Sequence, residues 1–278
     1  MLSVSLPKPA DASRARLGVL LVAHGSRHPG VSAALEEQRR LLAVELAERD
    51  IAAETSAGFL DHQRPRAAEA GARLLEGGCD DVVVVPLLLA EAFHARTDLP
   101  TVADELRHRA VQDARSVLVE VAGTIGDHPA LLAHGHQLLG AALAAGCDGA
   151  VVAVTGTRDP LVNAAQLKLI RRAAGATLPA HRVEVAALTG DRDGPAEALE
   201  RLVAAGVRAP AWLSWSLLPG TLSDVGLVVL RAACLRLATH DVLDLGRLGP
   251  SEPVARALAD RLVGHHGVGT GRGRHDRA

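Results

Sequence analysis

Two histidines occupy equivalent positions in the sequence, each soon after an apolar run. His24 follows residues 17–23 in LLVAHGSRHPG, and His94 follows residues 82–89 in VVPLLLAEAFHARTDLP. Imidazole is a good ligand for borderline divalent ions such as Fe, Co, Ni and Zn. We therefore expect the two rings to face one another across a cleft and to hold a divalent metal ion. Two unrelated loop histidines that cap helices or face solvent are the structural alternative, and spacing alone does not separate the two.

Three further polar residues could complete such a site. Asp61 follows the second predicted strand, where it could be a third ligand or a proton acceptor beside the metal. An Asp at this point is also typical of a turn or a helix N-cap. Ser26 and Arg27 stand at the predicted start of the first helix. A hydroxyl, a guanidinium and backbone amides there would bind a carboxylate well, with a cap and a surface ion pair as the alternative.

Other histidines are secondary candidates: one beside the site in sequence, three around a predicted helix, and three in the glycine-rich C-terminal segment. In that order they are His28; His128, His134 and His136; and His265, His266 and His275. The cluster of three does not follow a strand as His24 does. The C-terminal segment could bind metal loosely, but it has no core-forming pattern and disorder is the preferred interpretation.

Alternating apolar and amphipathic segments must position these residues. The pattern predicts strands over residues 17–23, 51–59, 82–89 and 116–122, with helices over 31–49, 66–76, 98–111 and 130–145. Strand–helix alternation without a break is typical of an α/β fold with a parallel sheet. Ligands bind outside the carboxyl ends of strands in such sheets. His24, Asp61 and His94 are therefore expected at one edge of the sheet.

The strand–helix pattern then repeats with similar residues. Three pairs of segments match in the same order: 22–31 with 153–162, 54–65 with 184–195, and 86–100 with 214–228. These matches indicate duplication of one α/β unit. The predicted fold is two similar domains, each a mostly parallel sheet flanked by helices, facing across a cleft. The predicted boundaries are a flexible leader (1–16), an N-terminal domain with the metal site (17–127), a degenerate repeat domain (128–263) and a disordered tail (264–278).

The differences between the two copies are informative. His24 is replaced by Thr155, and the segment that matches His94 contains no histidine, whereas Asp61 pairs with Asp191. The second copy keeps its glycine and proline pattern but lacks both imidazoles. This loss predicts one working site in the first half, with the second half as the other wall of the cleft.

Composition excludes several classes of function. The chain has 278 residues, a formal net charge of −2 and 1% aromatic residues, so neither a basic nucleic-acid surface nor a base-stacking platform is expected. The three cysteines lie far apart, which argues against a disulfide framework, a structural zinc site and an iron–sulfur cluster. The start of the chain lacks a signal-peptide pattern and the apolar runs are too short to span a bilayer. We expect a soluble, cytoplasmic protein with no membrane partner.

Three motifs together resemble a known family. The AHGSR turn at residues 23–27, the GFLDHQRP stretch at 58–65 and PLLLAEAFHARTDLP at 86–100 are similar to motifs of the sirohydrochlorin chelatases of the CbiX/SirB type. The resemblance is strongest over residues 18–121 and extends to about 263 through the repeat, as in the long forms with two halves. It implies a class II chelatase fold and insertion of Fe²⁺ or Co²⁺ into sirohydrochlorin, for sirohaem or cobalamin biosynthesis.

The family motifs also imply roles for particular residues. The histidine of H-G-S and the histidine before x-x-x-D-[IL]-P bind the metal in that family, and they correspond to His24 and His94. The assisting acidic residue corresponds to Asp61, although the family has Glu there, so a water could bridge the shorter side chain to the ion. Sirohydrochlorin carries eight carboxylates, for which Ser26, Arg27 and Arg96 are the expected anchors. No permanently bound cofactor is expected, since the divalent metal is a substrate.

Two other functions remain open at this point. Histidine phosphatases also place a histidine after their first strand, but their motif has Arg directly before the His-Gly pair, where this chain has Ala23. A non-catalytic metal-binding or delivery protein would bind metal without tetrapyrrole turnover. The ligand types do not decide between iron, cobalt and nickel. Because one chain would supply both walls of the cleft, a monomer is expected.

Overall fold

The computed structural model describes residues 16–91, 94–157, 159–175, 177–189 and 193–266. The first half forms a four-stranded parallel sheet in the order β2-β1-β3-β4. Its strands are β1 (Leu17–Ala23), β2 (Ala53–Phe59), β3 (Asp81–Pro86) and β4 (Leu118–Val121). Its helices are α1 (Val31–Glu48), α2 (Ala67–Glu76) and α3 (Leu99–Gln112), the last preceded by a π-helical turn at His94–Asp98.

The second half repeats this arrangement. Helix α4 (Pro129–Ala144) leads to a second parallel sheet in the order β6-β5-β7-β8. Its strands are β5 (Gly149–Val154), β6 (Val183–Ala187), β7 (Pro210–Ser214) and β8 (Leu243–Arg247). Its helices are α5 (Pro160–Gly175), α6 (Pro195–Ala204), α7 (Thr221–Arg236) and α8 (Glu252–His266), with a 3₁₀ turn at Ala180–Arg182. The predicted fold class is confirmed.

The central strand of each sheet is apolar throughout. Every residue of β1 and of β5 is buried, because each strand lies between two others and helices cover both faces of its sheet. A parallel sheet covered on both faces requires such continuous Val, Leu and Ala runs. The carboxyl ends of these central strands are therefore fixed points, and the turns after Ala23 and Val154 begin from rigid positions.

The helix that follows the last strand of each sheet packs against the other sheet. Helix α4 packs against α5, β7 and β8, whereas α8 packs against α1 and β3. One hydrophobic cluster consequently contains Leu21 and Val85 of the first sheet, Val152 and Leu213 of the second, and Leu258 of α8. This exchange joins the two halves through a shared core. The division near residue 127 stays a prediction, and the predicted leader and tail lie almost wholly outside the described residues.

Strand register corrects the predicted alignment of the two copies. Phe59 pairs with Ala23 in the first sheet as Ala187 pairs with Val154 in the second. The predicted second match is therefore wrong by two residues, because the segment between the ends of β5 and β6 is three residues shorter than that between the ends of β1 and β2, and a comparison of similar Ala-rich strings does not locate this difference. Continued from this register, the counterpart of Asp61 is Thr189 and not Asp191, which lies outside the described residues.

Three predictions about residues near the sheet edge are also wrong. The third strand ends at Pro86 and not at residue 89, because β4 pairs with β3 only as far as Val84 and the chain then turns away. His94 begins a π-helical turn that runs into α3, and not a loop. Helix α1 begins at Val31 as predicted, so Ser26 and Arg27 belong to the turn before it and not to the first turn of the helix, where they were expected. None of the helices in the described segments is long and apolar enough to cross a membrane.

Candidate active site

A cleft of about 590 Å³ opens between the carboxyl ends of the two sheets. The first half contributes residues 23–27 and 87–90, and the second contributes 154–157 and 215–223. Leu87, Leu88 and Leu89 line one side, with Trp215 and Leu217 on the other. Both the volume of the cleft and its mostly apolar walls with a few polar groups are typical of small-molecule binding sites. The strand ends thus form one shared site that could take a flat, largely apolar ligand.

His24 is half-buried in the wall of this cleft, directly after β1. Its main-chain oxygen accepts a hydrogen bond from the Asp61 amide at 2.8 Å, which ties the turn after β1 to the turn after β2. Gly25 follows with φ of 93°, and a Cβ there would lie 2.0 Å from the Asp61 main-chain oxygen. Only glycine fits both this backbone conformation and this close approach. The H-G pair therefore fixes where the imidazole enters the cleft.

The carboxylate of Asp61 has partners on the rim. Its Oδ1 accepts a hydrogen bond from the His62 amide at 2.7 Å and another from Arg66 Nη1 at 3.0 Å. The His62 amide, and next the Arg66 guanidinium, lower the pKa of this carboxyl group. The side chain is 53% exposed, and Asp61 is not among the described residues that line the cleft. In this structure Asp61 is an anion paired at the entrance.

His62 lies in the cleft and was missed by sequence reasoning. Its ring lies 5.9 Å from that of His24 between centroids, with the planes tilted by 39°. Its backbone is left-handed, with φ of 62°. His62 also lines the cleft together with His24. The available signal was its place directly after Asp61 at the same predicted sheet edge, but only the left-handed turn shows that its ring faces His24.

Ser26 and Arg27 form the next part of the same wall. Ser26 Oγ accepts a hydrogen bond from the His28 amide at 3.2 Å and lies 3.5 Å from the Pro219 oxygen in the other half. The second copy repeats this turn, with Thr157 Oγ1 accepting from the Asp159 amide at 3.1 Å. Arg27 is exposed at the cleft and has no hydrogen-bond or ion-pair partner within the described segments. Ser26 thus shapes the turn, whereas the Arg27 guanidinium is available to an acidic ligand.

The π-helical turn places His94 and Arg96 after β3, at the same edge of the first sheet. Arg96 is exposed. The side chain of His94 lies outside the described part of the structure, so the predicted pairing of His24 with His94 stays a prediction.

The secondary histidines before α1 and around α4 have structural contacts, whereas the side chains of His265 and His266 and the whole of His275 lie outside the described residues. His28 Nε2 lies 2.9 Å from Asp224 Oδ2, and His128 Nε2 lies 3.1 Å from Asp260 Oδ2 while its Nδ1 caps α4. His136 Nδ1 contacts Thr177 Oγ1. Burial lowers the pKa of His134. Among the described residues, no group of three or more His, Cys, Asp or Glu side chains is arranged to hold a metal ion, and the three around α4 act in packing and capping.

Comparisons with known proteins agree with this geometry. The fold is shared with two solved structures, SirB from Bacillus subtilis with Fe³⁺ (TM-score 0.65, 21% identity, 89% of this chain and 94% of that one) and the chelatase SirB from Bacillus subtilis subspecies spizizenii in complex with cobalt (TM-score 0.66, 19% identity, 88% and 93%). The protein therefore has the two-domain fold of the chelatases.

Sequence similarity gives the family. The CbiX family model matches residues 18–141. A sirohydrochlorin cobaltochelatase from Saccharolobus solfataricus is 34% identical over 119 residues, which are 40% of this chain and 83% of that relative. Another, from Sulfolobus acidocaldarius, is 34% identical over 99 residues, 34% of this chain and 72% of the relative. The chain belongs to the CbiX family, and the resemblance inferred from its motifs is confirmed.

Proposed function

We propose that this protein inserts a divalent metal ion into sirohydrochlorin. The observation that carries the proposal is the 34% identity to a sirohydrochlorin cobaltochelatase over 83% of that relative's length. In the reaction the ion loses water and forms bonds to the four ring nitrogens, and two pyrrole N–H protons leave. The protein must therefore hold the macrocycle, deliver the ion to one face and accept protons.

The cleft suits the macrocycle. Leu87, Leu88 and Trp215 would contact the faces of the flat ring and exclude water from it. The carboxylates around the ring would remain near the opening, where Arg27 is exposed, and Arg96, exposed in the turn that precedes α3, would be a second anchor. Guanidinium groups form bidentate hydrogen bonds to carboxylates, which fixes the orientation of the ligand. Ser26 would add its backbone and hydroxyl to the same anchor.

His24 and His94 would hold the ion and receive the pyrrole protons. Both follow central strands of the first sheet, β1 and β3, whose carboxyl ends lie at the same sheet edge. Neutral imidazole can ligate a divalent ion and, once the ion has left, can accept a proton near neutral pH. The second half has Thr155 where the first has His24 and would act as the opposite wall. No permanently bound cofactor is needed.

Cobalt is the metal to test first, because the relatives above are named cobaltochelatases. Iron should be tested second, since imidazole ligands do not discriminate between Co²⁺ and Fe²⁺.

One chain supplies both walls of the cleft, which supports a monomer as the working unit. A cytoplasmic location stays a prediction.

Anaerobic absorbance of sirohydrochlorin with Co²⁺ or Fe²⁺ tests the proposal. The metallated ring absorbs differently from the free ring, so insertion is followed directly. We expect the protein to insert at least one of the two ions faster than the ion inserts without the protein. Tight binding of the ion with no acceleration for either metal would contradict the proposal and would indicate a metal-delivery protein.

A further inference from the structure

The turn after β2 carries two potential metal ligands side by side, and His62 Nε2 lies 3.7 Å from Asp61 Oδ2. The Asp61 carboxylate is at the rim with Arg66, whereas the adjacent His62 ring lines the cleft opposite His24. We propose that His62 is a metal-binding residue of this cleft, and that it pairs with His24 to receive the divalent ion in place of the Asp61 carboxylate. This inference rests on the proposed function and adds a ligand to the same site.

The separation of the two rings fits a shared ion. Imidazole nitrogens bind such metals at about 2.1 Å, which puts the centroids of two rings on one ion on the order of 5–6 Å apart. The rings of His24 and His62 are 5.9 Å apart between centroids, and tilted by 39° rather than stacked. Two rings at this separation could therefore share one ion.

The backbone holds His62 in this orientation. A left-handed conformation, here with φ of 62°, is uncommon for a residue with a side chain, although His, Asn and Asp adopt it more often than others. Such conformations persist only where the surrounding structure fixes them, and they are concentrated at functional sites. Here the His62 amide donates to Asp61 Oδ1, and the Asp61 amide donates to the His24 oxygen. These bonds connect the two histidines through Asp61.

Asp61 accordingly has a supporting role. Its Oδ1 already accepts from the His62 amide and from Arg66, and the lowered pKa keeps it ionised as their partner. A carboxylate that leaves Arg66 to bind the ion would lose these contacts. Two neutral imidazoles leave the full charge on the ion and several coordination positions open. Both features favour onward transfer to an acidic macrocycle over permanent binding.

Co²⁺ titration without tetrapyrrole tests the pair directly. The visible absorbance of Co²⁺ reports nitrogen ligation, and calorimetry gives the affinity. His62→Asn removes the imidazole but retains a residue that tolerates the left-handed backbone. We expect this change to weaken Co²⁺ binding about tenfold or more and to alter the cobalt spectrum, and we expect Asp61→Asn to weaken binding less. His108→Ala, which removes an exposed imidazole on α3, is the matched control.

Chemical rescue separates ligation from folding. Glycine also accepts the backbone of residue 62, so His62→Gly is expected to bind Co²⁺ weakly and to recover the nitrogen-ligand spectrum when free imidazole is added. Unchanged affinity and spectrum in a folded His62→Asn variant, or stronger losses from Asp61→Asn, would overturn the inference. The Co²⁺ titration does not depend on turnover. A protein that binds Co²⁺ through His62 but does not metallate sirohydrochlorin would contradict the proposed function and leave the role of His62 in metal binding supported.

Discussion

His28 Nε2 lies 2.9 Å from Asp224 Oδ2, and this contact joins the turn after β1 to the first turn of α7 in the other half. His28 Nδ1 accepts a hydrogen bond from the Gly30 amide at 3.0 Å. With Nδ1 as acceptor, Nε2 carries the proton that is donated to Asp224, so the contact does not require a charged imidazole. Together with the approach of Ser26 to Pro219, it links the two walls of the cleft.

Loss of this link is expected to affect ligand binding more than stability. A partly exposed pair contributes about 0–1 kcal/mol to the free energy of unfolding. His28→Ala and Asp224→Ala should therefore change it little, while KM for sirohydrochlorin rises by about two- to fivefold because the walls are less well positioned. A double-mutant cycle on KM is the measurement. Strictly additive effects of the two changes would show that the contact does not couple the halves.

Gly25 and Gly156 give a matched pair of predictions. Both have positive φ, 93° and 80°, but a Cβ on Gly25 would lie 2.0 Å from the Asp61 oxygen, whereas one on Gly156 would lie 3.4 Å from Thr189 Oγ1. Gly156→Ala should cost about 1–2 kcal/mol from backbone strain alone. Gly25→Ala should cost more than this, because the turn after β2 must also move. Urea unfolding measures both, and equal losses would contradict the packing described for Gly25.

Gln38 anchors α8 to the first half. It is fully buried, and its side chain accepts from the Ser251 amide at 2.9 Å and donates to the Ser251 oxygen at 3.3 Å. Gln38→Leu leaves both backbone groups without their partner, which should cost about 1–3 kcal/mol. Hydrogen exchange at the start of α8 should rise as well. The exposed Gln112→Leu serves as control, and a neutral Gln38→Leu would show that the anchor is not needed.

His134 should make stability depend on pH. Burial lowers its pKa in the folded state, with a smaller opposing effect from its hydrogen bond to the Leu248 backbone. The protonated ring is disfavoured in the fold, so its contribution to stability is complete above the unfolded pKa of about 6.5 and is lost as the pH falls through the folded pKa. Unfolding free energies at pH 7.5 and 5.5 should therefore differ more for wild type than for His134→Gln. The same difference in both proteins would contradict this assignment.

The sequence was sufficient for the elements and for their order. Strand β1 has the predicted bounds, since a continuous apolar run bounded by HG admits few alternatives, and α2 begins one residue after the predicted start. The internal repeat predicted the second sheet. It did not predict that α4 packs against the second sheet and α8 against the first, because the pattern of an amphipathic helix shows that one face is buried but not which element covers it.

The site was less predictable than the fold. His24 could be placed because a central strand ends immediately before it. His62 could not, because the direction of its ring depends on a left-handed backbone and on the Asp61 hydrogen bonds. The predicted match of Asp61 with Asp191 suggested that the carboxylate was common to both halves. The register instead aligns Asp61 with Thr189, so the second half has no carboxylate at the equivalent position.

We infer that the first half carries the metal chemistry and that the second half forms the opposite wall of the cleft without it. This inference is tested most directly by the Co²⁺ insertion rate of two variants at equivalent positions, His24→Ala and Thr155→Ala, at saturating sirohydrochlorin. We expect His24→Ala to reduce the rate at least about 10²-fold, whereas Thr155→Ala should keep most of it. Comparable losses from both changes, or a fully active His24→Ala, would contradict it.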